Sequence, residues 1–518
     1  MMPRYRAWLA LGLLLQGCGA AALQHGDFVR VLSATADGTL ASVREVGVSS
    51  KPTLAQQVRS IADAAMQQTQ DRKLLLYLHG GLNSVSSSTK DSPGLLEAMT
   101  KDNYYPILVN WESGLASAYR SHLTRSATGR PSTWVHKATA PATFLFDLVD
   151  VGVSTPRSWY RAASDSILSS VFAHKQHDRA LMGDLPFCDS SRGEEAEADP
   201  RVQELSMVCR RNDEWPSNGD QFGKSALWLA LAPVRLVTTS IVYTIGAAEW
   251  KNMTRSAQLL FNTEDEFRVP PETQDFNQGA LSALLDELVS RIDPAASQPL
   301  EVTLVGHSMG AIVINEILNR YVSDPRIVFD DVVYLGAASS THDSLLAIVH
   351  YLHEHPDTRF HGVVLHPYAE DREREYATAV PDGSLLVWVD SMFQGASSFL
   401  GRTFGRWENL RPAVRLFHER SVQVDVGRMT ADTRTALAAS SSAPSQKRAS
   451  MPGSVQLPLD QRVHFAVMGF GDDSPQRHSD LNDLKFRFWC PQFWAGKKVT
   501  ADGPCIAARS LLRAPPEP

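Results

Sequence analysis

Short apolar runs that end in glycine or polar motifs, alternating with segments of helical period, constrain this chain more than any other feature. They are "KLLLYLHGG" (73–81), "YPILVNWESG" (105–114), "EVTLVGHSMG" (301–310), "DVVYLGAA" (331–338), "FHGVVLHP" (360–367) and "VHFAVMGFG" (463–471). Runs of this kind are buried on both faces, as in a strand inside a parallel sheet, and parallel strands need crossover segments between them. Helical segments supply these. "TLAQQVRSIADAAMQQTQ" places Leu54, Val58, Ile61 and Ala65 on one face behind a Thr53 cap, and "DFNQGALSALLDELVSRI" is amphipathic. The expected fold class is α/β: an open, mostly parallel sheet flanked by helices, with chemistry at the strand C-termini. Ahead of it, "DFVRVLSA" and "LASVREVGV" alternate around Asp37-Gly38 and predict a hairpin.

With 518 residues, 43% of them hydrophobic, the chain can bury a large core, and a net charge of -7 without a basic stripe argues against nucleic acid as a partner. The start, "MMPRYRAWLALGLLLQGCGAAALQ", has Arg4 and Arg6 before an apolar run too short to span a bilayer, the layout of a signal peptide. Leu15-Gln16-Gly17-Cys18 resembles the bacterial lipobox, which implies lipidation at Cys18 and a place in the cell envelope, on the periplasmic side or at the outer membrane. Five cysteines less Cys18 leave two local pairs, Cys188 with Cys209 and Cys490 with Cys505, which an export route would oxidise to disulfides; four free thiols are the alternative.

Residues 121–270 are too long for a loop and read as a helical cap inserted between the core parts 26–120 and 271–490. The stretch "SALWLALAPVRLVTTSIVYTIGAAEW" is apolar but interrupted by Pro233 and Arg235, so cap helices, with membrane-surface contact second, fit it better than a span. The leader is 1–18 and the tail 491–518; "TADTRTALAASSSAPSQKRASMPGS" reads as a flexible excursion.

Ser308 stands between Gly306 and Gly310, with strand-like Val302 to Val305 before it and helix-compatible Ala311 to Leu318 after it. A serine on such a sharp strand-to-helix turn presents its hydroxyl beside the free amides and positive dipole end of a helix N-terminus. Side chains at the two glycines would crowd the turn. His79-Gly80-Gly81, at the end of an earlier run, offers backbone amides that can approach a developing oxyanion closely.

These motifs together resemble the α/β-hydrolase superfamily and, through Gly-His-Ser-Met-Gly at 306–310, its lipase and esterase branch; "VNWESGLASAY" resembles a Trp-x-Ser-x-Gly segment of a bacterial subgroup. The resemblance covers about residues 70–120 and 272–480. It implies Ser308 as nucleophile and an oxyanion hole from the amides of Gly80, Gly81 and Met309. It implies a base after the last strand, where His478 lies, and an acid after "FHGVVLHP". Glu370 is the favoured acid, with Asp371 and Asp390 as rivals; Asp390 gains if its segment is a strand and not a helix capped by Ser384. His464 sits inside a strand, and His350, His353 and His355 read as surface residues of a helix.

The expected activity is cleavage of carboxylic esters, hydrophobic or lipid ones given the apolar cap and the anchor, with no metal or organic cofactor. The membrane is met through the lipid anchor and the cap. The alternatives are an acyltransferase or amidase using the same triad, and a surface lipoprotein that keeps the scaffold for binding.

Overall fold

The computed structural model describes residues 22–41, 43–48, 50, 52–68, 72–81, 84–114, 246–247, 249–262, 278–293, 299–366, 369–370, 373, 383–394, 399–410, 462–469, 474–496, 499 and 503–505. The leader with Cys18, most of the 121–270 insertion with Cys188 and Cys209, Asp371 and the 430–454 excursion lie outside them. Within the insertion, residues 249–259 are helical. The chain divides into two compact units, Met1–Phe146 with Ala248–Asp293, and Asp147–Ala247 with Pro294–Pro518. No helix among the described residues is long and apolar enough to cross a membrane.

In the first unit, β1 (Ala22–Leu23) pairs in parallel with β3 (Arg44–Glu45), while β2 (Val31–Ala34), β4 (Lys73–Leu78) and β5 (Tyr104–Trp111) form a parallel sheet with β5 in the middle. The expected hairpin shrinks to one antiparallel bridge, Ala34 to Leu40. Thr35, Asp37 and Thr39 close that turn with their own side chains, and β2 gives its edge to β5. The helix α1 (Leu54–Gln68) starts as its sequence implies: Thr53 Oγ1 accepts the Gln56 amide at 3.2 Å, and Gln56 Oε1 accepts the Thr53 amide at 2.9 Å. This reciprocal cap satisfies two amides that have no partner inside the helix. After it, α2 (Val85–Lys101) carries the chain from β4 to β5. The helix α3 (Ala280–Ser290) buries Leu281, Leu284, Leu285 and Leu288 and packs on α1, with Arg291 Nη2 against Asp63 Oδ1 at 2.7 Å.

The second unit is a parallel sheet whose strands lie side by side in chain order: β6 (Leu300–His307), β7 (Ile327–Leu335), β8 (Arg359–Leu365) and β9 (Val463–Met468). The helices α4 (Gly310–Tyr321) and α5 (Thr341–Glu354) make the first two crossovers. The apolar runs read from the sequence are these strands, and both units are α/β in class. The sheet centre also holds a polar cluster: Arg359 makes a two-pronged ion pair with Asp331 at 2.8 and 3.0 Å, and His361 Nε2 lies 3.3 Å from the same carboxylate. Asp331 is fully buried.

Beyond β9 the start of the C-terminal tail packs into the core. Pro491, Phe493 and Trp494 are buried, and the Trp494 ring lies 5.2 Å from that of His361. Cys490 forms a disulfide with Cys505, the pairing expected of these two cysteines. Burying two aromatic side chains of this size stabilises by about 1.5–3 kcal/mol each, which holds 491–494 in the core.

Several histidines share one electrostatic condition. Burial lowers the pKa of His79, His361 and His366 to about 4 in each case, the neighbouring Asp331 offsetting part of the effect at His361. The unfolded chain therefore takes up protons first as pH falls below about 6.5, and stability is lost from there toward about pH 4. The melting temperature is expected to fall on the order of 10 °C between pH 7 and pH 4.5; a flat profile in a calorimetric pH series would contradict these burials.

Candidate active site

At the end of β6 the backbone turns through Ser308, which holds a left-handed conformation, φ +52°, before α4 begins at Gly310. A non-glycine residue there costs about 1–3 kcal/mol, so the surroundings must over-determine it. They do so through three backbone hydrogen bonds: Ser308 N–H donates to Leu335 O at 2.8 Å, and Ser308 O accepts the amides of Ala338 (2.9 Å) and Ala311 (3.2 Å). Gly306 must be small. A Cβ on it would stand 2.7 Å from Ile314 Cδ1 and 2.8 Å from Gly310 C. The Met309 amide stands at the helix start, where intrahelical acceptors are lacking.

His478 opens a short 3-10 helix beyond β9, His478–Asn482, and is buried together with Ser308. Three contacts bring it to the elbow. Its ring lies 4.9 Å from that of His307, the residue before Ser308, and His307 Nε2 is 3.1 Å from the His478 carbonyl. The ring also covers Gly336, which follows the Leu335 that accepts the Ser308 amide. A Cβ on Gly336 would sit 2.7 Å from His478 Cε1, and its φ of +53° also favours glycine. Burial, with a smaller contribution from His307, holds the His478 pKa well below the usual histidine range. The imidazole is thus neutral at pH 7, the form that a general base needs. Ser308 Oγ and both His478 ring nitrogens have no hydrogen-bond partner among the described residues.

The carboxylates arrange themselves differently from the sequence expectation. Glu370 is buried and bound elsewhere: Arg406 Nε lies 3.4 Å from one oxygen and Ser384 Oγ 3.5 Å from the other. Asp390 accepts from Arg406 at 3.1 Å, Asn409 at 2.6 Å and the Thr403 amide at 2.7 Å. Its segment is helical, Leu385–Trp388 capped by Ser384, the condition under which Asp390 loses ground as the acid. The carboxylate that reaches His478 is Glu373, whose Oε2 accepts the main-chain N–H of His478 at 2.8 Å. Sequence reasoning passed over it. Glu373 is one of several carboxylates in "HPYAEDRERE", and only the folded loop separates it from Glu370.

Of the other histidines, His464 stacks on His361 at 5.3 Å, and His353 is exposed. His355, expected at the surface, is buried: its ring stacks on Tyr351 at 4.2 Å and donates to Val322 O at 2.8 Å, closing the end of α5.

In the first unit, His79 and Gly80 follow β4. His79 Nε2 accepts the Trp111 amide at 3.0 Å, its Nδ1–H donates to Gly80 O at 2.5 Å, and its ring stacks on Trp111 at 4.4 Å. Nδ1 thereby carries the proton, and the Gly80–Gly81 peptide is oriented by the ring. Comparison with protein-family models, with curated proteins and with solved structures finds no match to this chain, so the functional reading rests on the geometry of these residues.

Proposed function

We propose that the second unit carries a serine hydrolase site for carboxylic esters, on an α/β-hydrolase fold. The observation that carries this reading is Ser308 in a left-handed turn between a buried strand and a helix N-terminus, with a buried, neutral histidine packed against the same turn. In this mechanism Ser308 Oγ attacks the ester carbonyl while His478 takes its proton. The Met309 amide donates to the oxyanion, the alcohol leaves with the proton from His478, and water releases the acyl group by the reverse sequence. Glu373 holds the segment that carries the base, its Oε2 accepting the main-chain N–H of His478, while Glu370 and Asp390 serve the Arg406 cluster. No step calls on a cofactor. The substrate class is a hydrophobic or lipid ester, presented to a protein tethered through Cys18 in a bacterial envelope.

A second reading, a scaffold kept for binding, draws on the absence of a Ser308 to His478 hydrogen bond. Catalytic hydrogen bonds commonly tighten only when substrate is bound, which favours the enzyme. The test is a fluorophosphonate probe followed by peptide mass mapping. An adduct on Ser308 is expected; an unmodified Ser308 in the folded protein selects the binding reading.

A further inference from the structure

The contacts around His478 fall on its main chain. Its N–H is held by Glu373 Oε2 at 2.8 Å and its C=O by His307 Nε2 at 3.1 Å, while both ring nitrogens are without hydrogen-bond partners among the described residues. A carbonyl only accepts, so His307 Nε2 carries the hydrogen in this contact. His307 is joined by one peptide bond to Ser308, and its ring lies 4.9 Å from the His478 ring. It therefore links two parts of the chain 171 positions apart, at the point where their relative placement decides whether a proton can pass.

We propose that His307 is a positioning residue that ties the main chain of His478 to the nucleophile turn, with Glu373 holding the other side of the same residue. This rests on the hydrolase reading for its catalytic consequence, although the clamp itself does not. Without the His307 bond, the 3-10 turn at 478–482 is held by Glu373 and by the packing of its own His478 and Leu481 against Gly336. His478 then loses its register against Ser308, and a misplacement of about 1 Å at a reacting pair costs on the order of 10² in rate. Substrate binding has no part in this bond.

The chemistry selects the variants. Gln extends its amide to about the place of Nε2 and can donate to the His478 carbonyl, whereas Asn is too short and Leu has no donor. With a short-chain nitrophenyl ester, kcat of His307→Asn and His307→Leu is expected to fall about 10²-fold at nearly constant KM. His307→Gln is expected to stay within about tenfold of wild type, the worth of one altered hydrogen bond. Gln no better than Leu, or all three equal to wild type, overturns the proposal. Hydrogen exchange of the peptide spanning 477–486 reads the clamp without activity: faster exchange in His307→Leu than in His307→Gln supports it, and equal exchange overturns it. If wild type neither turns over ester nor takes the phosphonate, the hydrolase reading fails, and the exchange result alone decides the clamp.

Discussion

Ser308→Ala is expected to reduce ester turnover by about 10⁴-fold to 10⁶-fold while leaving the fold intact, because it removes the hydroxyl that forms the acyl-enzyme in the proposed mechanism. The residual rate is that of water attacking a carbonyl still oriented by the site and polarised by the Met309 amide. Alanine also lies no better in the left-handed turn than serine does. The three backbone hydrogen bonds that impose φ +52° are independent of the side chain, so the variant keeps the strain and its supports. The check is kcat together with the melting temperature. A variant with wild-type turnover removes Ser308 from the mechanism, whereas one that loses turnover only because it unfolds leaves the melting curve as evidence. His478→Ala should match it in turnover, since residues acting as one unit lose about as much singly as together.

The largest effect on stability is expected where β7 meets β8. Asp331→Ala removes the carboxylate that meets Arg359 at 2.8 and 3.0 Å, and it leaves a guanidinium in a site where Arg359 is only 5% exposed. An uncompensated buried charge of this kind costs about 3–5 kcal/mol. Arg359→Leu should also be destabilising, though less so, because Asp331 loses its two guanidinium hydrogen bonds but keeps His361 at 3.3 Å. The double replacement Asp331→Leu with Arg359→Leu should be less damaging than either single one, because a packed apolar pair requires no desolvation of charge. Urea unfolding of the two single variants and the double variant measures this directly. Additive losses would show that the pair acts through packing and not through charge.

The elbow itself was legible in the sequence because every determinant is local. A buried run, a small residue at 306 and a helical pattern from 311 suffice to require a sharp turn at Ser308. The Thr53 cap and the strands at 73–78, 104–111 and 300–307 were readable for the same reason: period and capping act within a few residues. His478 was placed by chain order after the last strand, and the structure puts it against the turn.

What could not be read is which distant side chains meet. Glu370 and Glu373 are three residues apart and chemically alike, yet one turns to Arg406 and the other to the His478 amide. No pattern within that acidic stretch distinguishes them, because the choice depends on where Ser384, Arg406 and His478 pack. The partners of His307 at 478 and of Trp494 at 361 likewise lie too far along the chain for any local pattern to mark them. Local sequence thus determined the strands, the caps and the strained serine, since backbone sterics and periodic burial act over a few residues. Tertiary structure alone decided the partner of each buried carboxylate and histidine, since a buried charge or hydrogen bond is settled by whichever segment the fold brings within about 3 Å.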